Sequence, residues 1–229
     1  MAIFTPDQKK RPLSALCRSH TLLWLLLASV TMAASLGITE EMLATIAEQY
    51  GRSARSRVID WQTLVDANIA RSDIDKLHAV NRFFNRNRFV SDQEHWQKAD
   101  YWATPIEFIG TKGGDCEDFA IAKYITLRAL DVPDAKLRIT YVKSLSLNQA
   151  HMVLTYYASP RDVPLVLDNL INQIQPATSR TDLKPVYSFN GNGLWMAKMV
   201  GEGQKLGTAD DLDMWQDFVA RLQREKASP

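Results

Sequence analysis

Apolar residues recur every three or four positions through the first half of the chain, the spacing that places them on one face of a helix. This spacing predicts helices over residues 40–50, about 53–68 and 73–84. Ser72 is placed to cap the third of them, and its predicted buried stripe includes Ile74. The first half is therefore predicted to be helical.

The helical spacing stops at residue 88 and returns near residue 115. Residues 88–112 contain two Trp, two Asp, two Glu and one Pro without a sustained period, so we predict a long ordered loop there. The two glycines at 113–114 end this loop, and a helix is predicted from residue 115 or 116 to residue 130.

β-Branched and aromatic residues dominate three short runs in the second half, at 137–143, 150–157 and 163–170. They predict strands of an antiparallel sheet. The Asn-Gly-Asn-Gly sequence at 190–193 predicts a hairpin, and a last amphipathic helix is predicted around 212–222. Helices, then a sheet, then a closing helix define the α+β class.

The first 35 residues have the composition of a secretory signal peptide. Four basic residues precede an apolar stretch at 21–32, and small residues follow at 33–35. An uncleaved membrane anchor is the alternative, because residues 19–39 carry no charge. The apolar stretch is short, which favours cleavage, so we predict an exported chain with one domain over residues 36–229.

The charge of the chain is nearly balanced, with 27 Lys and Arg against 26 Asp and Glu. Removing residues 1–35 leaves 23 basic against 25 acidic residues, a formal charge of −2. The arginines of residues 52–57 are too few and too interspersed for a basic patch. No nucleic-acid partner is therefore predicted.

Cys116 is the sole cysteine after residue 35, so it has no partner for an intramolecular disulfide once the leader is removed. It lies in Gly-Gly-Asp-Cys-Glu-Asp at a predicted helix start, where backbone N–H groups and the helix dipole favour a thiolate. His151 and Asp168 follow on predicted strands. This order predicts a cysteine nucleophile, its base and the group that orients the base.

Each of these residues also has a structural interpretation. A helical cysteine can be buried and inert, and a lone histidine on an apolar strand is more often structural. The combination favours catalysis, with Asp162 a weaker alternative to Asp168 as the third residue. The other histidines after residue 35 are His78, in a predicted helix, and His95, in the predicted loop.

Three carboxylates, those of Asp115, Glu117 and Asp118, adjoin the cysteine. Their charge disfavours the thiolate and so opposes the effect of the helix start. Helix capping accounts for any one of them. Three together are better explained by a bound divalent cation, and an all-oxygen donor set in an exported protein favours Ca²⁺.

The motifs Gly-Gly-Asp-Cys-Glu-Asp, Gln-Ala-His-Met-Val and Val-Leu-Asp-Asn resemble, in this order, those of the bacterial transglutaminase-like cysteine proteinases, in particular the LapG-type periplasmic adhesin proteases. The similarity spans about residues 40–225. It implies a papain/transglutaminase-like fold. The backbone N–H of Cys116 is the natural first oxyanion donor, and Trp102 and Tyr101 are the candidates for a second. The resemblance also implies roles for the motif residues, with Cys116 the nucleophile, His151 the general base, Asp168 its orienting group, and Asp115, Glu117 and Asp118 the positions near a bound Ca²⁺.

The same resemblance implies a biological role. Members of the family cleave the N-terminal region of a very large RTX-type surface adhesin next to a pair of alanines, which releases the adhesin and disperses the biofilm. An inner-membrane LapD-like receptor sequesters the protease when it binds cyclic di-GMP. We therefore expect a periplasmic, calcium-dependent endopeptidase that is monomeric when free. Transglutaminase or amidase chemistry and a non-catalytic binding module are the alternatives.

Overall fold

The computed structural model describes residues 36–227 of the chain. The predicted signal peptide lies outside these residues. Within residues 36–227, every helix is too short or too polar to span a bilayer. The helices are α1 (Glu40–Tyr50), α2 (Arg52–Asn68), α3 (Asp73–Phe84), α4 (Asp92–His95), α5 (Pro105–Thr111), α6 (Cys116–Ala129) and α7 (Asp213–Ala227).

The predicted long helices are confirmed close to their predicted limits. Ser72 caps α3 as predicted, because its hydroxyl accepts a hydrogen bond from the backbone N–H of Asp75. The buried face of α3 begins one turn later than predicted. Leu77 and Phe84 are fully buried, whereas Ile74 in the first turn is 44% exposed.

The loop predicted over residues 88–112 is wrong. Strand β1 (Arg88–Phe89) pairs in parallel with β2 (Gly113–Gly114), and α4 and α5 lie between them. Thr104 starts α5 with a capping box, in which its hydroxyl accepts the N–H of Glu107 and the carboxylate of Glu107 accepts the N–H of Thr104. Helices of four and seven residues are too short to show a periodic apolar pattern.

The second half forms an antiparallel sheet, as predicted. Its strands are β3 (Leu137–Ser144), β4 (Gln149–Tyr156), β5 (Leu165–Leu167), β6 (Gln175–Pro176), β7 (Leu183–Asn190), β8 (Gly193–Met196) and β9 (Lys205–Gly207). Within residues 36–227 the sheet has seven strands in the order β6-β5-β4-β3-β7-β8-β9. The edge strands β6 and β9 were not predicted, because two or three residues give no alternation. The order of helices, sheet and closing helix confirms the α+β class.

Helix α6 lies between the sheet and the other helices. It packs against β3 and β4 on one side and against α3 and α5 on the other. Phe119, Ile121 and Leu127 are buried in the core that these elements share. This packing fixes the N-terminus of α6 beside strand β4.

The register of the sheet brings two of the predicted residues together. Leu154 of β4 faces Leu167 of β5, so Asp168 continues β5 by one position alongside Val153. His151 lies two positions before Val153, and residues two apart in a strand point to the same face. Antiparallel pairing of β4 and β5 therefore places His151 near Asp168.

Candidate active site

A cleft of about 420 Å³ opens where the start of α6 meets β4. Cys116 and His151 both line it, as do Asp115 and Glu117. Its walls also carry aromatic side chains, those of Phe89, Trp102, Tyr141 and Tyr187. Tyr141 and Tyr187 stack with ring centroids 4.9 Å apart, which gives the cleft a rigid apolar side.

Cys116 is the first residue of α6, with Asp115 at the N-cap, so the predicted helix start is confirmed. The thiol donates a hydrogen bond from Sγ to Oε2 of Glu117 at 3.0 Å. Burial raises the pKa of Cys116, and the charges of Glu117 and Asp115 raise it further. Burial and the neighbouring carboxylates therefore favour the protonated thiol over the thiolate.

His151 forms a hydrogen bond from Nε2 to Oδ1 of Asp168 at 2.8 Å, and both side chains are buried. Burial alone would raise the pKa of Asp168, but hydrogen bonds from His151, the backbone N–H of Leu170 and Arg180 lower it to about 2. Asp168 is therefore an ionised acceptor, so Nε2 carries the proton of this hydrogen bond.

The other acids and histidines considered for this role lie elsewhere. Asp162 lies in an exposed turn after residue 160, and His151 bonds Asp168 instead. His95 is hydrogen-bonded through Nε2 to Thr111 at 2.8 Å, and His78 is exposed on α3. Of the two residues considered as oxyanion donors, Trp102 lines the cleft, whereas the hydroxyl of Tyr101 donates to Glu107 at 2.6 Å.

The acids beside Cys116 differ in what they contact. Both oxygens of Asp118 accept hydrogen bonds from backbone N–H groups, from Ala103 at 2.7 Å and from Asp115 at 3.2 Å. Asp118 therefore fixes the backbone before the first turn of α6. Oδ1 of Asp115, in contrast, is buried without a hydrogen-bond partner among the described residues. Burial raises the pKa of Asp115 to about 9, with Glu117 adding to the effect.

Two further acids join this cluster, and sequence analysis missed both. Ligand atoms of Asp92, Asp100 and Glu117 lie within 4.8 Å of one another, as do those of Asp92, Asp115 and Asp118. Burial raises the pKa of Asp92 too, and its Oδ1 is a second buried oxygen without a partner among residues 36–227. Unpaired buried carboxylate oxygens of two acids, with further carboxylates beside them, are a donor set that suits Ca²⁺. No spacing in the sequence linked residues 92 and 100 to residue 115.

Gly114 has a different role from the one its position suggests. The sequence predicts that Gly113 and Gly114, which have no Cβ, let a substrate backbone approach the sulfur closely. In the structure Gly114 is buried, and a Cβ there would meet the carboxylate of Asp118 and lie 2.8 Å from Cδ2 of Phe108. The missing side chain therefore makes room for Asp118 and Phe108, not for a ligand.

Two buried cations lie behind Asp168, and sequence analysis gave no sign of either. Nη2 of Arg180 donates to Oδ2 of Asp168 at 2.7 Å. Nζ of Lys123 donates to the main-chain oxygen of Asp168 at 3.1 Å, and burial lowers the pKa of Lys123 to about 7. Both contacts join segments far apart in sequence, so no local pattern marks them.

The chain matches proteins of known family. The family model described as bacterial transglutaminase-like cysteine proteinase matches residues 52–191. None of the curated proteins compared with the chain matches it. The structure of LapG from Legionella pneumophila is 44% identical, with a TM-score of 0.70 over 81% of this chain and 98% of that one.

Two further structures of the Legionella protein are also similar to this chain. The calcium-bound form is 45% identical, with a TM-score of 0.69 over 81% of this chain and 99% of that one. The EGTA-treated form is 44% identical, with a TM-score of 0.71 and coverage of 81% and 98%. The chain therefore belongs to the bacterial transglutaminase-like cysteine proteinases, has a LapG-like fold and is a cysteine protease.

Proposed function

We propose that the chain is a calcium-dependent cysteine endopeptidase in which Cys116 is the nucleophile, His151 the general base and Asp168 the group that orients His151. The hydrogen bond of 2.8 Å between Nε2 of His151 and Oδ1 of Asp168 carries this proposal. It supports one tautomer of His151 in the cleft that Cys116 also lines.

The tautomer determines the direction of proton transfer. Nδ1 of His151 takes the proton of the Cys116 thiol, and Sγ attacks the carbonyl carbon of the scissile peptide bond. His151 then gives that proton to the leaving amine, which leaves an acyl group on the sulfur as a thioester. Water, deprotonated by Nδ1, hydrolyses the thioester and restores the thiol. Asp168 stabilises the imidazolium in both halves of the reaction.

The acids beside the thiol are the reason for proposing calcium dependence. Glu117 and Asp115 raise the pKa of Cys116 and so oppose the first step. A bound Ca²⁺ would supply positive charge that neutralises these carboxylates and lowers the cost of the thiolate. Asp115, Glu117, Asp92 and Asp100 would hold the ion. Asp118 stays a candidate ligand, although both of its oxygens already accept backbone N–H groups.

The protease family implies a protein substrate, and we propose a large RTX-type surface adhesin cut near a pair of alanines in its N-terminal region. The identity of 44% with LapG and the preserved motif order support this choice. Release of the adhesin would disperse the biofilm. We further propose that residues 1–35 direct the chain to the periplasm, and that an inner-membrane LapD-like receptor of cyclic di-GMP sequesters it there.

The test is cleavage of the N-terminal fragment of the large repeat-containing adhesin encoded nearest to this chain, with Ca²⁺ or with EGTA and with a labelled primary amine. We expect cleavage that needs Ca²⁺, is abolished in Cys116→Ala and His151→Ala, and is unchanged in Ser53→Ala, an exposed control. Transfer of the amine without cleavage would assign the chemistry to acyl transfer instead. Turnover by Cys116→Ala would refute the assigned nucleophile.

A further inference from the structure

Arg180 is a buried cation that the proposed mechanism does not use. Its side chain is 2% exposed, and Nη2 donates both to Oδ2 of Asp168 at 2.7 Å and to Oδ2 of Asp182 at 2.8 Å. Nε donates to Oδ1 of Asp182 at 2.9 Å. Asp182 is one-third exposed, so the guanidinium bridges a buried acid of the site and an acid near the surface.

Groups other than Arg180 also hold Asp168 in place, mainly through its main chain. Nδ2 of Asn85 and Nζ of Lys123 donate to its carbonyl oxygen at 2.8 Å and 3.1 Å. The backbone N–H of Leu170 donates to Oδ1 at 3.0 Å. These bonds do not depend on Arg180. Among the described residues, Arg180 alone donates to Oδ2, so its specific effect is on the rotation and charge of the carboxylate.

Loss of the guanidinium would leave Oδ2 of Asp168 as a buried acceptor without a donor. A buried carboxylate in that position gains by taking up a proton, since burial favours the neutral form. With that proton on Oδ1, the oxygen that faces the imidazole, Asp168 would donate to Nε2 of His151 instead of accepting from it. The proton of the imidazole would move to Nδ1, the nitrogen whose lone pair the base needs.

We propose that Arg180 is a positioning residue that keeps Asp168 an acceptor and thereby keeps the proton of His151 on Nε2. The inference rests on the proposed function, because it assigns Nδ1 of His151 as the base. It assigns the third residue of the site a charged partner of its own, supplied from the segment between β6 and β7.

The tautomer of His151 is measured by ¹⁵N NMR of the histidine-labelled chain, with the signal assigned by its absence in His151→Gln. Reaction of Cys116 with iodoacetamide is measured in parallel with calcium present. The chain carries Cys17→Ser, which leaves Cys116 as its sole thiol. Neither measurement needs a substrate. Lack of proteolysis by the wild type would refute the proposed function, whereas the tautomer and the alkylation rate would still test the role of Arg180.

We expect His151 to be protonated on Nε2 in the wild type and to shift toward the Nδ1-protonated form in Arg180→Gln, with alkylation slower by about 10-fold or more. Arg180→Lys keeps a cation beside Asp168, so it should restore the wild-type tautomer and most of the rate. Asp182→Asn is the matched control, since Asp182 shares the guanidinium without contacting His151, and it should match the wild type.

A merely structural role would lower the melting temperature of Arg180→Gln and leave the tautomer of His151 unchanged. That result in a folded variant would overturn the proposal, as would equal effects of Asp182→Asn and Arg180→Gln. The wild-type spectrum is decisive even if Arg180→Gln does not fold. A wild-type His151 protonated on Nδ1 and not on Nε2 would refute the assignment.

Discussion

Glu117 accepts the hydrogen bond of the Cys116 thiol, with Sγ and Oε2 3.0 Å apart. A residue adjacent in sequence therefore favours the protonated form of the Cys116 thiol. Burial raises the pKa of Glu117 as well, so the two groups compete for protons in a space with little solvent. Activation of the thiol requires that this contact be relieved, which makes Glu117 the most informative position for substitution.

Replacing Glu117 with Gln should change two properties in opposite directions. In EGTA, alkylation of Cys116 by iodoacetamide should be faster than in the wild type, because the amide removes a charge that raises the pKa of the thiol. With Ca²⁺, cleavage of the adhesin fragment should fall by about 10-fold or more, because a ligand of the proposed calcium site is lost.

The exposed acid Glu41 provides the control for this pair of measurements. Glu41→Gln should match the wild type in both assays. Equal cleavage by Glu117→Gln and by the wild type, both in Ca²⁺ and in EGTA, would mean that the carboxylate only stabilises the start of helix α6. That result would refute the proposed calcium site.

Asp168→Asn should lower the rate of cleavage by about 10⁴-fold, by analogy with the loss of the orienting acid in serine proteases. An amide keeps the shape of the side chain but no longer compensates an imidazolium at His151. The matched control is Asp162→Asn, in an exposed turn, which should cleave at the wild-type rate. A wild-type rate in Asp168→Asn together with a large loss in Asp162→Asn would refute Asp168 as the third residue.

Much of the fold could be predicted because its long elements carry their own signals. Helix α6 begins at Cys116, where the Gly-Gly pair and the acids that follow mark a helix start. Helix α5 has a signal in the sequence too, since Thr104 and Glu107 form a capping box, but the segment has no apolar period and so the pattern predicts a loop there. The short edge strands depend on pairing with neighbours that a sequence does not show.

The site could be predicted only where its residues stand out from the sequence immediately around them. Cys116 lies in a distinctive motif, and His151 is a polar residue in an apolar strand. Asp92 and Arg180 belong to segments without a periodic pattern, and they reach the site through tertiary packing. Sequence analysis therefore predicted Cys116, His151 and Asp168, which the structure brings to one cleft and its wall, but not the charged groups that surround them.

Gly114→Ala should destabilise the protein by about 1–3 kcal/mol, because the new methyl group would meet Asp118 and Phe108 in a filled part of the core. Gly191→Ala is the matched control: a Cβ there would lie 3.4 Å from the hydroxyl oxygen of Tyr124, an ordinary contact. Urea unfolding gives the free energies of both variants. Equal stability of the two would mean that Gly114 is not needed for packing at the start of α6.

The contribution of Asp115 to the stability of the metal-free protein should fall as the pH rises from about 4 to about 9. The pKa of Asp115 is about 3.9 when exposed to solvent and about 9 in the folded protein, raised by burial and by Glu117. Across this interval the unfolded chain loses the proton while the folded protein keeps it. The contribution of Asp115 to the free energy of unfolding therefore decreases as the pH rises. The stabilising contribution is complete below pH 4 and is lost by pH 9.

Thermal unfolding in EGTA at several pH values measures this slope. Asp115→Asn should flatten this slope, whereas Asp66→Asn, a change to an exposed acid on α2, should keep the wild-type slope. The same dependence of the melting temperature on pH in the wild type and in Asp115→Asn would contradict the raised pKa of Asp115.

Ca²⁺ binds the ionised carboxylate, so it should raise the melting temperature of the wild type more at pH 8 than at pH 5, and this difference should disappear in Asp115→Asn. An equal effect of Ca²⁺ on the wild type and on Asp115→Asn would remove Asp115 from the ligand set.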